Sequence, residues 1–142
     1  MKRGFTILEL LIVIAVISIL VGIALPRFRG MQVEGLYAQA KGELRTLQTA
    51  VESYYIHNGA YPSTFPDDVE GATPNIIGAT APTDPFTTSS DYGYDTTGNY
   101  YIIWSVGPGG TATISGIDTN GALEGTTGDD IYASNAFATI GG

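Results

Sequence analysis

The sequence of 142 residues contains no cysteine and a single histidine, His57. Without cysteine there is no disulfide, no thiol nucleophile and no thiolate ligand for zinc. His57 stands near a predicted helix end, where the helix dipole favours a cation, so we interpret it as structural. The glycines follow no phosphate-loop pattern, and the paired acids Asp67-Asp68 and Asp129-Asp130 show no general acid facing a base. This inventory predicts that the chain is not an enzyme.

Positive charge is also missing from most of the chain. Every lysine and arginine lies at or before Arg45, whereas acids continue from Glu52 to Asp130, and the formal net charge is -8. An acidic surface repels phosphate backbones, so we expect no nucleic acid to bind the part after Arg45. The simplest meaning of these acids is solubility, and a sharper one is affinity for a divalent cation.

A long apolar run occupies the N-terminal end. Lys2, Arg3 and Gly4 precede it, and it extends from Phe5 to Leu25. As a helix, this segment would span roughly 31 Å, which is enough to cross the hydrocarbon core of a bilayer. Glu9 lies inside the run. A carboxylate is costly in a membrane-spanning helix, so Glu9 is a candidate functional residue that needs a partner.

Two simpler interpretations of this end are a cleaved secretory signal peptide and an ordinary membrane anchor. The run is long for a signal peptide, and no small-residue cleavage site follows it before Pro26. For an anchor, the positive-inside rule would keep Lys2 and Arg3 in the cytoplasm and place the remainder outside. A plain anchor, however, leaves Glu9 without a role.

Residues 2–9, Lys-Arg-Gly-Phe-Thr-Ile-Leu-Glu, resemble the class III signal of type IV pilins and type II secretion pseudopilins. The resemblance implies that a prepilin peptidase cuts between Gly4 and Phe5 and that the new N-terminus of Phe5 is methylated. It also implies that Glu9 pairs with the Phe5 amine of a neighbouring subunit, a buried pair that would fix register. Pro26 falls at a position that the family shares. Its missing N–H predicts a bend in the helix, and filaments of this family are often unwound there.

The remainder of the chain predicts an α+β fold. Between about Glu34 and His57, apolar residues at spacings of three and four form one helical stripe. Joined to the apolar run, this segment predicts one helix from Phe5 to His57, frayed around Gly30. Asn58-Gly59 is typical of a helix C-cap. Residues 92–94, 100–107 and 111–115 predict short strands, because aromatic and β-branched residues cluster there. The stripe consists of Leu36, Ala40, Leu44, Leu47, Val51 and Tyr54.

The family resemblance gives these elements an architecture. It implies a long hydrophobic N-terminal helix that continues into a small type IV pilin-like domain, with a three- or four-stranded antiparallel sheet against the helix. The predicted organisation is a leader peptide at residues 1–4, a transmembrane or filament-core helix at 5–30 and a globular domain at 31–142.

The resemblance also implies a calcium ion in the C-terminal third. Many type IV pilins close a loop there with a disulfide, whereas major pseudopilins bind calcium. The matching frame is residues 104–107 and 128–131, and the candidate ligands are Asp118, Asp129 and Asp130. Gly109-Gly110 stands where the family usually has Asp-Gly, so one expected carboxylate is missing. The alternative is a solvated acidic loop in which Asp129 caps a turn.

The resemblance implies a structural subunit that polymerises with copies of itself into a type IV pilus-like filament. Its expected partners are the prepilin peptidase and an inner-membrane assembly platform. The precursor would cross the inner membrane once, with its N-terminus in the cytoplasm, before joining an extracytoplasmic filament. Two alternatives stay open: the major pseudopilin of a type II secretion system, favoured by the missing cysteines, and a membrane-anchored extracytoplasmic binding domain.

Overall fold

The computed structural model describes residues 4–136 and 141. Residues 1–3 of the predicted leader, and residues 137–140 and 142 of the predicted domain, lie outside the described residues. The chain divides into two compact units, Met1–Gly35 and Leu36–Gly142. Residues 31–35 are exposed and burial begins at Leu36, so the second unit starts a few positions after the boundary predicted at residue 31.

The first helix, α1, covers Ile7–Asn58 and contributes residues to both units. It continues through Gly30, so the predicted fraying there is wrong. A glycine costs a helix only about 1 kcal/mol relative to alanine and keeps its backbone N–H, so a long helix absorbs it. The C-cap is confirmed. Gly59 has a φ of 75°, and its N–H donates to the Tyr55 carbonyl at 2.8 Å.

The predicted apolar stripe is the buried face of α1 in the second unit. Its four central members are fully buried, while Leu36 and Tyr54 are partly buried. This face packs against the sheet residues Tyr101 and Ile103. Burying one leucine side chain contributes about 1.5–3 kcal/mol, so the stripe attaches the helix to the sheet. The four fully buried members are Ala40, Leu44, Leu47 and Val51.

A one-turn helix, α2 (Asp67–Glu70), and five short strands complete the second unit. The strands form an antiparallel sheet of order β1-β2-β5 and a separate antiparallel pair, β3-β4. The three predicted strand regions are confirmed, although β3 begins later than residue 111, whereas β4 and β5 were not predicted. The strands are β1 (Gly93–Thr96), β2 (Tyr101–Ser105), β3 (Ile114–Ile117), β4 (Leu123–Gly125) and β5 (Ile131–Ser134).

Strand β2 is buried on both faces. Tyr101 and Ile103 join the core beneath α1, whereas Ile102 and Trp104 pack with Ile114 of β3 and its neighbours. Successive side chains of a strand point to opposite faces, so one strand can serve two cores. The second unit is therefore layered, with the three-stranded sheet between α1 and the β3-β4 pair. The end of β2 leads directly into a glycine-rich turn, so one half of the predicted metal frame, residues 104–107, lies at this junction.

Candidate functional site

The predicted processing junction lies ahead of the first turn of α1. Gly4, Phe5 and Thr6 are not helical, and the Phe5 side chain is 78% exposed. A Cβ added at Gly4 would meet no atom within 4 Å. The fold therefore does not require glycine at this position. A requirement for glycine would come from a partner that must approach the backbone closely.

Glu9 is held within its own chain by the residue that starts the helix. The backbone N–H and the hydroxyl of Thr6 both donate to Glu9 Oε2 at 2.9 Å, and the Glu9 N–H donates to Thr6 Oγ1 at 3.2 Å. This reciprocal pattern is a capping box, which satisfies helix N–H groups that lack partners in the first turn. Glu9 Oε1 accepts no hydrogen bond from a described residue. One carboxylate oxygen is thus committed to the cap and the other is available.

The side chains around Glu9 form an exposed apolar surface on the first unit. Large hydrophobic residues from Phe5 to Val33 are exposed. No residue in the most apolar 18-residue stretch of α1 is buried by another part of the chain. Among the described residues, α1 is the one helix long and apolar enough to cross a membrane. Pro26 lies within this surface and is itself exposed. We call the exposed apolar residues between Phe5 and Val33 the apolar helix surface.

Asp118 does not lie with the other two predicted calcium ligands. It follows the last residue of β3, whereas Asp130 binds the backbone N–H of Ile114, the first residue of that strand. Because a strand rises about 3.3 Å per residue, the two carboxylates lie at opposite ends of β3. Asp118 instead caps its own turn. Hydrogen bonds from the N–H groups of Ala122 and Asn120 hold its pKa below the usual value.

Asp129 lies against the glycine turn that follows β2. Its carboxylate accepts a hydrogen bond from the Gly109 N–H. A Cβ added at Gly109 would meet Asp129 Oδ2 at 2.6 Å, and Gly107 and Gly110 have φ values of 63° and 69°. The Asp129 carboxylate thus occupies the space in which a side chain at position 109 would begin. An aspartate at position 109 would therefore clash with the Asp129 carboxylate, so the two side chains exclude each other in this turn.

Asp130 is fully buried at the start of β5. Its Oδ2 accepts hydrogen bonds from the N–H groups of Thr113 and Ile114, both at 2.7 Å, and from Thr113 Oγ1 at 3.1 Å. Its Oδ1 is buried without a hydrogen-bond partner among the described residues. A buried oxygen of this kind is costly and marks a place where a cation or an ordered water would fit.

The donor set around the glycine turn therefore fits a cation only in part. Asp129 and Asp130 lie at the same loop, and Asp118 does not. Within residues 4–136 and 141, no group of three or more histidine, cysteine, aspartate or glutamate residues is placed to hold a metal ion. Calcium at this loop would need backbone carbonyls and water for most of its six to eight oxygens.

Asp84 was not among the predicted site residues, yet it ties a loop to the sheet. It is 2% exposed, and its carboxylate accepts hydrogen bonds from Ser105 Oγ at 2.8 Å, Val106 N–H at 2.8 Å and Phe86 N–H at 3.0 Å. The sequence signal that could have identified it is the aspartate before Pro85 in a loop, because aspartate often bonds backbone groups two residues onward.

Two tyrosines bind glutamates of α1 across the main core, and these pairs were also not predicted. Tyr92 donates its hydroxyl proton to Glu43 at 2.6 Å, and Tyr101 donates to Glu52 at 2.9 Å. Both glutamates flank the apolar stripe, so their positions beside it were the available signal. These hydrogen bonds fix how α1 lies along the sheet within the second unit.

The N-terminal end of the chain matches a protein-family model described as the prokaryotic N-terminal methylation motif, over residues 1–25. The type IV major pilin protein PilA of Myxococcus xanthus is 40% identical over 68 residues, 48% of this chain and 30% of that protein. The type II secretion system core protein G of Pectobacterium carotovorum is 32% identical over 63 residues, 44% of this chain and 40% of that protein. In both cases the match spans less than half of the relative's length.

One relative matches along nearly the whole chain. Fimbrial protein Q of Moraxella bovis is 34% identical over 142 residues, which is 98% of this chain and 77% of that protein. The chain belongs to the type IV pilin and pseudopilin family. No solved structure matches this pilin-family chain. The methylation motif includes Gly4, Phe5 and Glu9, so it coincides with the junction and the capping box, and it ends long before Asp118, Asp129 and Asp130.

Proposed function

We propose that this chain is a structural subunit that polymerises into a type IV pilus-like filament through its N-terminal helix. The observation that carries the proposal is the apolar helix surface, which no described part of the chain covers. An apolar surface of this size needs lipid or protein around it, first a membrane and then neighbouring subunits. The similarity to a fimbrial protein over 98% of the chain supports the same assignment.

In this proposal Glu9 sets the register of assembly. Oε2 is held by Thr6, while Oε1 accepts no bond from a described residue. Cleavage by the prepilin peptidase after Gly4 would give Phe5 a methylated, positively charged amine. The amine of a neighbouring subunit would then bind Oε1. A buried charge pair adds little stability, but a subunit in the wrong register would leave a buried charge unpaired.

The cellular route follows from the same features. The precursor would be a single-pass protein of the inner membrane, with Lys2 and Arg3 kept in the cytoplasm and the acidic domain outside. An inner-membrane assembly platform would transfer it into an extracytoplasmic filament. Its role would be structural rather than catalytic.

A second candidate of the same class is the major pseudopilin of a type II secretion system. The absence of cysteine and the similarity to core protein G favour it, whereas the longer match to a fimbrial protein favours the pilus. A candidate of another class is a membrane-anchored binding domain. Processing separates this last candidate from the others, because a plain anchor keeps residues 1–4 and a filament subunit loses them.

The processing experiment compares Gly4→Val with Gly30→Ala in cells that contain a prepilin peptidase. Both glycines have open space around them, so neither substitution disturbs the fold. Wild type and Gly30→Ala should yield filament protein whose intact mass begins at N-methylated Phe5. Gly4→Val should accumulate as a full-length precursor in the membrane. Residues 1–4 found on protein within filaments would contradict the proposal.

The assembly experiment compares Glu9→Ala with Glu34→Ala, an exposed acid of the same helix outside the methylation motif. Glu9→Ala should insert into the membrane normally but yield at least about 10-fold fewer filaments, because the neighbour's amine is left buried and unpaired. Glu34→Ala should assemble like wild type. Wild-type filament yield from Glu9→Ala would show that the carboxylate has no part in assembly.

We also propose that the glycine turn binds calcium through Asp129 and Asp130. The support is the buried Asp130 Oδ1 without a partner and the adjacent Asp129 carboxylate. Calcium would supply a cross-link between the turn after β2 and the start of β5, a role that disulfides fill in other small extracytoplasmic domains. Asp118 is not part of this site.

A further inference from the structure

Three tyrosine rings contact one another in a row that runs from the surface of the second unit into its core. Tyr55, in the last turn of α1, stacks on Tyr61 with the ring centroids 4.5 Å apart and the ring planes inclined by 27°. The Tyr61 ring in turn lies 4.8 Å from the ring of Tyr101, tilted by 53°. Tyr55 is 40% exposed, Tyr61 is partly buried and Tyr101 is fully buried. The outer pair therefore combines close ring contact with access to solvent.

The hydrogen bonds of the outer pair suit the loss of an electron. A phenol that loses an electron also gives up its hydroxyl proton. The Tyr61 oxygen accepts a hydrogen bond from Asn135 Nδ2 at 3.0 Å, so this oxygen keeps a donor after its own proton has left. The Tyr55 hydroxyl makes no hydrogen bond with a described residue, so its proton can leave without breaking a contact within the described chain.

We propose that Tyr55 and Tyr61 form an oxidative cross-linking site, at which one-electron oxidants join the two rings into an intramolecular dityrosine. Each phenol loses one electron to the oxidant and one proton to water, which leaves two phenoxyl radicals. The radicals then form one C–C bond between the ring carbons next to the C–O carbons. Each of these two carbons releases its hydrogen as a proton and each oxygen takes up a proton, so both phenols are restored.

The balance of this reaction defines the class of oxidant. The two rings together lose two electrons and two protons, and they gain one C–C bond. Two equivalents of a one-electron oxidant accept the electrons. A peroxide can be the source of these equivalents, because one hydrogen peroxide that receives two electrons and two protons becomes two waters. Formation of the link needs one copy of the chain and does not depend on the proposed filament.

The geometry favours this pair over the neighbouring tyrosines. Rings that are stacked and nearly parallel hold their reacting carbons together, and such proximity replaces an encounter between molecules. Tyr101 is the competing partner of Tyr61, but its ring is strongly tilted and its hydroxyl is held by Glu52 at 2.9 Å. Tyr54 packs against the main core, and adjacent residues of a helix do not face each other.

The link would attach the end of α1 to the sheet of the second unit. Tyr61 contacts Tyr101 of β2, and it accepts a hydrogen bond from Asn135, which follows the last residue of β5. The chain contains no cysteine, so no disulfide can provide such an attachment. A covalent link between two residues stabilises a fold mainly because it restricts the unfolded chain.

The test exposes the full chain in detergent to tris(bipyridyl)ruthenium(III) generated by light, which accepts one electron. Cleavage after acidic residues leaves both rings in one peptide, residues 53–67. This peptide should lose two hydrogen atoms, and tandem mass spectrometry should give no fragments separated between Tyr55 and Tyr61. The rate should not change on tenfold dilution, whereas a link between two molecules would form about 10-fold more slowly.

Two phenylalanine variants locate the reaction. Tyr55→Phe keeps the ring and its stacking but removes the phenol, so it should form at least about 10-fold less of the linked peptide. Tyr54→Phe removes the adjacent phenol, which packs against the core, and should react within about twofold of wild type. Linked wild type should melt at least about 4 °C above the unreacted chain, and Tyr55→Phe treated in the same way should show no such increase.

Every result supports or overturns the assignment. Links that form only between molecules, a link between Tyr61 and Tyr101 instead, or no dityrosine at all would overturn it. So would a wild-type yield of the linked peptide from Tyr55→Phe. An unchanged melting temperature after complete reaction would overturn the stabilising role of the link. Because the reaction is measured on separate chains in detergent, a failure to form filaments would contradict the proposed function and leave this assignment intact.

Discussion

Asp84→Asn should destabilise the second unit strongly although it preserves the shape of the side chain. In wild type, Asp84 Oδ1 accepts from Ser105 Oγ and Phe86 N–H, and Oδ2 accepts from Val106 N–H. Asparagine can keep the first two bonds, but its NH2 group then faces the Val106 N–H, donor against donor. The lost bond to a charged acceptor costs about 1.5–3 kcal/mol, and the remaining bonds weaken without the charge.

The expected loss is therefore about 2–4 kcal/mol out of a total stability of about 5–15 kcal/mol. For a domain of this size it corresponds to a decrease in Tm of roughly 8–16 °C. Unfolding of the full chain in detergent can be followed by Trp104, which is 9% exposed and is the single tryptophan of the chain. Its ring lies against Gly93 of β1, so separation of β1 from β2 should change its fluorescence.

Asp91→Asn is the matched control, because Asp91 is exposed and accepts no hydrogen bond from a described residue. Its stability should stay within about 0.5 kcal/mol of wild type. A stability loss below about 1 kcal/mol for Asp84→Asn would refute the reasoning, since a buried donor would then have lost its acceptor without cost. Equal losses for both variants would refute it too, because the effect would then follow net charge rather than contacts.

Two further predictions concern calcium and alkaline pH. The full chain in detergent should melt at a higher temperature in calcium than in chelator. Calcium at a hundredfold excess over Kd should add about 2.7 kcal/mol to the free energy of unfolding. Asp130→Asn should remove the difference and Asp118→Asn should keep it, and identical melting in both buffers would contradict the calcium proposal. Stability should also fall as pH rises above about 10, because burial, with Glu43 and Glu52 beside the hydroxyls, raises the pKa of Tyr92 and Tyr101 above that of the unfolded chain. Above this pH the tyrosines of the unfolded chain lose protons that the folded chain keeps. The double variant Tyr92→Phe/Tyr101→Phe should therefore show a smaller decrease in the free energy of unfolding with pH. An unchanged decrease would contradict the role given to these two tyrosines.

The helix and its buried face could be predicted because their signals repeat along the chain. Leu44, Leu47 and Val51 fall at helical spacing, and Gly59 can adopt the positive φ that ends the last turn. Strand β4 was missed because three residues, two of them Glu124 and Gly125, carry no alternation of apolar and polar side chains. Strand β5 was missed because its four residues follow an acidic, glycine-rich stretch that is typical of a loop.

The candidate site was predictable in part for a related reason. Thr6 and Glu9 interact over one helical turn, so sequence spacing alone indicates the capping box. Asp118 and Asp130 lie at opposite ends of β3. Their closeness in the sequence does not show that this strand separates their carboxylates. The same holds for Asp84, whose three partners come from its own loop and from the end of β2.

The burial of β2 on both faces has a consequence for the order of events during synthesis. One edge of β2 pairs with β1, which precedes it closely in the sequence, whereas its other edge pairs with β5, the last strand. The core beneath α1 also contains Ile131 and Ala133 of β5. Contacts between distant parts of a chain form late, so the N-terminal helix leaves the ribosome well before the domain can close. The apolar segment is therefore synthesised before the residues that close the core of the second unit, so the two units become able to make their contacts at different times.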